Sequence, residues 1–153
     1  MPAGRGRLGT RATHGDCEDG RMTTVEIVQL VFRILLAVVF IGMGVNHFRP
    51  GPARAMSAMI PPGLKRDGVL SGKNLVRFTG VCEIVGGVGI LVPATMFAAG
   101  LALVVFLVAV FPANSYAAAH PERFGRAAFP FWPRYVAQLV LIALIMLSVI
   151  TIR

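Results

Sequence analysis

Four long apolar stretches, separated by breaks rich in proline, glycine or charge, dominate the chain. They run from Ile27 to His47, from Leu75 to Val92, from Met96 to Tyr116 and from Tyr135 to Ile152. A helix needs about 20 mostly apolar residues to cross a bilayer, so each stretch is predicted to be a transmembrane helix. The short turn Pro93-Ala94-Thr95 requires antiparallel neighbours. The pattern predicts an all-α membrane protein, built as a four-transmembrane-helix up-and-down bundle.

The first long loop carries a further helical pattern. Met56, Met59 and Ile60 are spaced so that they share one helix face, and prolines at 52 and 61 bound them. A short helix with one apolar face lies along the surface of a bilayer. The loop is therefore predicted to contain a short interfacial helix.

Composition agrees with this fold. Of the 153 residues, 56% are hydrophobic and only 14% are charged, which is typical of membrane proteins and too apolar for a soluble domain of this size. The net charge of +8 is spread over the tail and the loops instead of one basic face. The lipid bilayer, and not nucleic acid, is therefore the predicted partner.

Basic residues concentrate in two long loops, residues 48–74 and 117–134. Alternation of the four helices puts both loops on the same side of the membrane. The positive-inside rule predicts that this side is cytoplasmic. The expected location is therefore the cell membrane of a bacterial-type cell, with both loops in the cytoplasm.

The segment Met1–Arg21 differs from the rest of the chain. It is rich in glycine and arginine and has no apolar period, so it is predicted to be a disordered tail. Met22 reads as a normal start for a small membrane protein, and an over-extended gene start is the alternative interpretation of the tail. The transmembrane domain is predicted to cover residues 22–153.

Polar side chains occur inside or at the edge of every apolar stretch. In an up-and-down bundle, the ends of helices one and three meet the starts of helices two and four, so these side chains are predicted to line one polar cavity. Ionisable groups are costly in a membrane, which makes them candidate site residues. The ligand-binding candidates are Asn46, His47, Glu83, Asn114, Arg134 and Gln138.

Arg33 and Glu83 are predicted to form the charged floor of this cavity. At 1.5 Å per residue, Glu83 lies about 12 Å below Leu75, and Arg33 lies about 9 Å from the opposite edge. Such a pair has two interpretations, which stay open. It can be purely structural, each charge making the other tolerable, or Glu83 can be a functional proton carrier.

The chain shows no redox or metal centre of its own. Its two cysteines, Cys17 and Cys82, form neither a disulfide framework nor a C-x-x-C pair. The three histidines lack the spacing of a haem or zinc site. No cofactor is expected in the chain itself, and no catalytic residue is assigned. A non-catalytic membrane subunit is expected rather than an enzyme acting alone.

An ordered set of short motifs resembles the DoxX-like family of small four-helix integral membrane proteins. The set covers residues 27–152 and comprises Asn46-His47-Phe48, Met59-Ile60-Pro61-Pro62, Thr79-Gly80-Val81-Cys82-Glu83-Ile84, Phe111-Pro112-Ala113-Asn114, and Arg134 with Gln138. Some proteins of that family are membrane subunits of thiosulfate:quinone oxidoreductases or are linked to redox complexes. The resemblance implies four transmembrane helices and an accessory role beside other redox-complex subunits.

Three hypotheses for function follow. The leading one is an accessory or ligand-binding subunit associated with membrane redox chemistry, which binds a small ligand such as a quinone. The second is a small proton-coupled transporter, in which Glu83 exchanges a proton for substrate. The third is a structural scaffold subunit with no ligand, in which the polar residues only fix helix packing.

Overall fold

The computed structural model describes residues 22–65, 67–124 and 130–150, and all regular structure within them is helical. The α-helices are α1 (Thr24–Asn46), α2 (Pro50–Met59), α3 (Gly72–Gly89), α4 (Met96–Ala119), α5 (Pro121–Phe124) and α6 (Phe131–Val149), and 3-10 turns occupy Pro62–Leu64 and Gly68–Leu70. The all-α prediction is confirmed. The predicted disorder of residues 1–21 lies outside the described residues.

Three helices, α1, α4 and α6, are long and apolar enough to cross a membrane. They present large apolar side chains to their surroundings. Val38, Val105 and Leu147 are 66%, 61% and 60% exposed, respectively. Continuous apolar surface of this kind is unfavourable in water and is matched by lipid. The chain is a membrane protein, and three of the four predicted spans are helices long and apolar enough to cross the bilayer.

Helix α3 is shorter and more charged than these three. It has 18 residues, among them Lys73, Arg77 and Glu83. The two cations lie in its first two turns, whereas Glu83 is buried against the other helices. Farther along, the outer face is apolar, with Phe78 and Val85 65% and 64% exposed. A membrane crossing by α3 stays a prediction.

The four long helices form a closed ring. Helix α1 packs against α3 and α6, and α4 packs against the same two helices. Neighbours are antiparallel, because each long helix starts beside the end of the helix before it. The turn between α3 and α4 is stabilised by Thr95, whose hydroxyl donates to the Gly89 carbonyl at 2.8 Å. We call the end where α1 and α4 finish the mouth end, and the opposite one the far end.

Glycines set the register of α1 against α3. A Cβ atom on Gly44 would lie 2.7 Å from the Gly80 carbonyl oxygen, and one on Gly80 would lie 2.9 Å from the Gly44 carbonyl oxygen. The two backbones therefore touch at this level, a contact that only residues without a side chain permit. Because Glu83 is one turn beyond Gly80, the contact places its carboxylate beside the end of α1.

Apolar side chains fill the far half of the ring. Ile90 and Ile145 are fully buried, and Leu103 is 1% exposed. At the far end, the Gln29 amide donates to the carbonyls of Leu147 and Ile150 at 3.0 and 2.7 Å. These are among the last carbonyls of α6, which have no partner within the helix. The far half is thus closed, while the mouth half holds the polar residues.

Helix α2 lies at the mouth end, where it contacts α3 and α4. It begins at Pro50, which suits the first turn of a helix because that position has no hydrogen bond to lose. Met56, Met59 and Ile60 are partly buried toward the bundle, and Arg54 is exposed. The helix occurs where the sequence predicts it, and its position in a membrane interface stays a prediction.

Candidate functional site

A cavity of about 450 Å³ opens between the helices in the mouth half of the bundle. Most of its wall is apolar, contributed by α1, α2, α3, α4 and α6. The lining residues are Val39, Phe40, Met43, His47, Met56, Met59, Ile60, Leu75, Val76, Thr79, Glu83, Phe106, Leu107, Val110, Ala113, Asn114, Arg134 and Leu141. Its size and its few polar groups are typical of sites that bind small molecules.

Four of the six candidate residues line the cavity together, namely His47, Glu83, Asn114 and Arg134. Asn46 is not among the lining residues. Successive residues of a helix point about 100° apart, so Asn46 faces away from the cavity when the adjacent His47 faces into it. Alternation of helix direction thus brings the ends of α1 and α4 and the start of α6 to one place.

His47 and Glu83 form the most polar part of the wall. The Nδ1 atom of His47 is 2.7 Å from the Met43 carbonyl oxygen and 3.1 Å from Oε2 of Glu83. Both neighbours are acceptors, so Nδ1 carries the hydrogen, and the shorter contact directs it to Met43. Oε2 of Glu83 is buried and receives no directed hydrogen bond in the described residues. The Glu83 side chain as a whole is 10% exposed and lines the cavity, so its carboxylate can accept a hydrogen bond from a ligand there.

The predicted ion pair between Arg33 and Glu83 is not formed within the described residues. The guanidinium of Arg33 instead donates to the Gln29 carbonyl at 3.4 Å and to the Met96 sulfur at 3.0 Å. The prediction that Arg33 and Glu83 lie at a similar depth was wrong, because the register of α3 against α1 puts Glu83 beside Gly44. Eleven residues separate Gly44 from Arg33, which is about 16 Å along the helix. Arg33 belongs to the far half, and the floor of the cavity is apolar.

Asn114 and Arg134 form the opposite polar wall. Nη1 of Arg134 donates to Oδ1 of Asn114 at 3.0 Å, and both side chains are partly buried. The bond fixes the amide of Asn114 against the start of α6. A guanidinium and an amide held together in this way provide donors for an oxygen atom of a ligand.

Gln138 stabilises backbone next to the cavity and is not part of the cavity lining. Its amide donates to the carbonyl of Leu107 at 3.1 Å, and Leu107 lines the cavity. Pro112, inside α4, cannot donate to the carbonyl of Val108 and disturbs this part of the helix. The amide of Gln138 thus donates to the carbonyl one residue before the one that Pro112 leaves without its helical donor.

Methionines are the part of the site that sequence reasoning missed. Met43, Met56 and Met59 line the cavity, two of them from α2. The spacing of Met56 and Met59 predicts an apolar helix face. It does not predict that this face lines the cavity, as it does in the structure. Methionine is unbranched and polarizable, so it adapts to ligands of different shape.

Cys82 is a partly buried free thiol beside Glu83 in sequence. It does not line the cavity, because consecutive helical positions diverge by about 100°. In the described part of the chain, no group of three His, Cys, Asp or Glu side chains is placed to hold a metal ion. The polar side chains that do line the cavity offer hydrogen bonds and charge to a ligand.

Comparison with known proteins gives one match. A family model described as "Domain of unknown function (DUF8561)" matches residues 36–149. No curated protein and no solved structure matches the chain. The matched region begins before Val39 and ends after Leu141, the first and last residues that line the cavity.

Proposed function

Because the chain belongs to the family described as "Domain of unknown function (DUF8561)", and the matched region includes the whole cavity lining, we propose that ligand binding in this cavity is its function. The observation that carries the proposal is the carboxylate of Glu83, which lines this largely apolar cavity next to His47. A hydrogen bond from a ligand to a charged group contributes about 1.5–3 kcal/mol.

The chemistry of the wall specifies the class of ligand. Apolar side chains and methionines favour a flat or flexible apolar body. Glu83 requires a donor, and Arg134 with Asn114 offers donors to an oxygen on the other side. A quinone-type ring in its reduced, quinol form has this arrangement, since its hydroxyl groups both donate and accept. We assign the cavity to a ligand of this class.

The chain then acts as an accessory or ligand-binding subunit associated with membrane redox chemistry. The ligand would carry the electrons, and a partner subunit of a redox complex would exchange them. The resemblance of the ordered motifs to DoxX-like proteins supports this role. Under this proposal His47 and Glu83 bind one side of the ring, and Arg134 binds the other.

The proposed arrangement in the membrane has four spans, with α3 as the fourth. Its 18 residues extend about 27 Å, close to the thickness of the hydrocarbon core. Lys73 and Arg77 then lie at the membrane surface, on the same side as the predicted cytoplasmic loops 48–74 and 117–134 in a bacterial-type cell membrane.

A labelling experiment tests this topology. A cysteine introduced at exposed Arg123, in a Cys17→Ser, Cys82→Ser background, is expected to resist a membrane-impermeant maleimide in intact cells and to react after lysis. A cysteine at exposed Thr24, at the far end of α1, is the matched control and is expected to react in intact cells. Labelling of the Arg123 site in intact cells would reject the cytoplasmic assignment.

An inventory of small molecules that co-purify with the intact protein tests the ligand proposal. We expect a quinone-type molecule in the extract of the wild-type protein, measured by mass spectrometry, and at least a tenfold lower amount with Glu83→Gln, His47→Ala. The double variant removes the acceptor and its neighbour, so about 1.4 kcal/mol or more of binding is lost. Equal amounts in both extracts, or none in either, would reject a quinone site.

The transporter hypothesis needs a second conformation. The cavity is closed on the far side by Ile90, Leu103 and Ile145, which are at most 1% exposed. Transport would require these packed side chains to separate. The scaffold hypothesis, which has no ligand, instead predicts that Glu83→Gln and His47→Ala lower stability and that the inventory finds no bound molecule in either extract.

A further inference from the structure

A second concave site lies on the outer side of His47, between α2 and the start of α3. This basic groove, about 430 Å³ in volume, is lined by His47, Phe48, Pro50, Ala53, Arg54, Ser57, Lys73 and Arg77. His47 lines both the groove and the cavity, so its ring is part of the wall between them. We propose that the basic groove binds the phosphate group of an anionic membrane lipid.

Charge is the first argument. Arg54, Lys73 and Arg77 all line the groove, and no acidic side chain does. None of the three makes an ion pair with a carboxylate in the part of the chain that the structure describes. Three like charges around one concave surface repel each other. An anion bound among them removes this repulsion and accepts charge-assisted hydrogen bonds.

The helices hold these groups in place. The lining residues Pro50, Ala53, Arg54 and Ser57 follow helical spacing, so one face of α2 forms a wall of the groove. Ser57 packs directly against Gly72, the first residue of α3, where a Cβ atom would collide with its hydroxyl. The groove therefore lies between two helices in direct contact.

The start of α3 adds a partial positive charge. Ser71 precedes the helix but makes no side-chain capping hydrogen bond, so the first backbone N–H groups of α3 have no cap. Lys73, in this first turn, lines the groove. Uncapped N–H groups and the helix dipole favour an anion at this position. Ser57 supplies a hydroxyl donor on the opposite wall.

The surroundings point to a lipid as the source of the phosphate. Phe48 lines the groove and is 48% exposed. An apolar ring in the wall of a cationic groove matches a lipid, which has a charged headgroup and apolar chains. Basic pockets between membrane helices bind acidic headgroups in this way. A soluble phosphate would gain nothing from Phe48.

Native mass spectrometry of the full chain in neutral detergent tests this. We expect phosphatidylglycerol to bind at one site more tightly than phosphatidylcholine. Each Lys or Arg near the surface contributes about fivefold to affinity for acidic lipid, so Arg54→Gln, Lys73→Gln, Arg77→Gln should weaken phosphatidylglycerol binding about a hundredfold. Arg54→Lys, Arg77→Lys retains the charges and should bind within about threefold of wild type, on the same scale.

A charge-matched control separates the groove from general attraction. Arg49→Gln, Lys65→Gln, Arg123→Gln removes three basic residues from the same end of the bundle, and none of these lines the groove. We expect it to retain the tight site. Equal loss of phosphatidylglycerol by both triple variants, each with an unchanged helical circular dichroism spectrum, would overturn the proposal. Displacement of the lipid by an equal concentration of inorganic phosphate would also overturn the assignment to a lipid.

Discussion

Replacement of Glu83 with glutamine is expected to weaken binding of a quinol to the cavity by about tenfold to a hundredfold. Glutamine keeps the size of the side chain and removes the negative charge that makes the carboxylate a strong acceptor. A hydrogen bond to a charged group contributes about 1.5–3 kcal/mol, which corresponds to this range. The effect should be smaller for the oxidised ring, because a quinone has no hydroxyl hydrogen to donate.

Calorimetric titration of the purified protein with a short-chain benzoquinol, under anaerobic conditions, measures the difference. Glu122→Gln is the matched control, because Glu122 is an exposed carboxylate at the same end of the bundle. It should leave the affinity unchanged. If Glu83→Gln and the wild-type protein bind the quinol equally well, Glu83 is not the acceptor, and the proposed role of the cavity loses its main support.

The second large effect is expected from Gly80→Ala, which should lower the Tm by about 3–10 °C. The new methyl group would lie 2.8 Å from the Cβ atom of His47 and 2.9 Å from the Gly44 carbonyl oxygen. Backbone cannot move aside as a flexible side chain does, so α1 and α3 must separate. Overpacking of this kind costs about 1–3 kcal/mol.

Gly42→Ala provides the control for this substitution. Gly42 is in α1, two residues from Gly44, and a Cβ atom there meets nothing within 4 Å. Its Tm should equal or exceed that of the wild type, because alanine favours a helix more than glycine does. Thermal unfolding in detergent, followed by intrinsic fluorescence, gives both values. Similar Tm values for the two variants would contradict a backbone contact between α1 and α3.

The apolar pattern was sufficient to predict the helices and the end of the bundle at which the polar residues meet. Alternating directions place the ends of α1 and α4 beside the start of α6, and His47, Asn114 and Arg134 line one cavity there. This follows from chain order alone. Because each residue advances a helix by a fixed distance, the sequence also gives how far each polar residue lies from the end of its helix.

The partner of Glu83 could not be predicted in the same way. It depends on how far α3 slides along α1, and the backbone contact of Gly44 with Gly80 decides this. Many glycines occur in the apolar stretches, and sequence does not tell which pair touches. A shift of the carboxylate along α1 therefore exchanged Arg33 for His47 as its neighbour.

The rotation of side chains about each helix was also beyond the sequence pattern. Asn46 and His47 are adjacent, and only the structure shows that the imidazole is the one that lines the cavity. Whether α2 covers the cavity depends on the path of the loop that follows the helix. Met56 and Met59 indicate an apolar face, which either a bilayer surface or a cavity would satisfy.

The amide partners of Gln29 are synthesised late, since the Leu147 and Ile150 carbonyls follow it by 118 and 121 residues. At about 5–20 residues per second, α1 waits roughly ten seconds before these carbonyls exist. An amide without partners is unfavourable beside lipid, so α1 is incompletely stabilised during this interval. The ring can close only after α6 has been synthesised, because α6 joins α1 to α4, and it also brings Arg134 to the cavity.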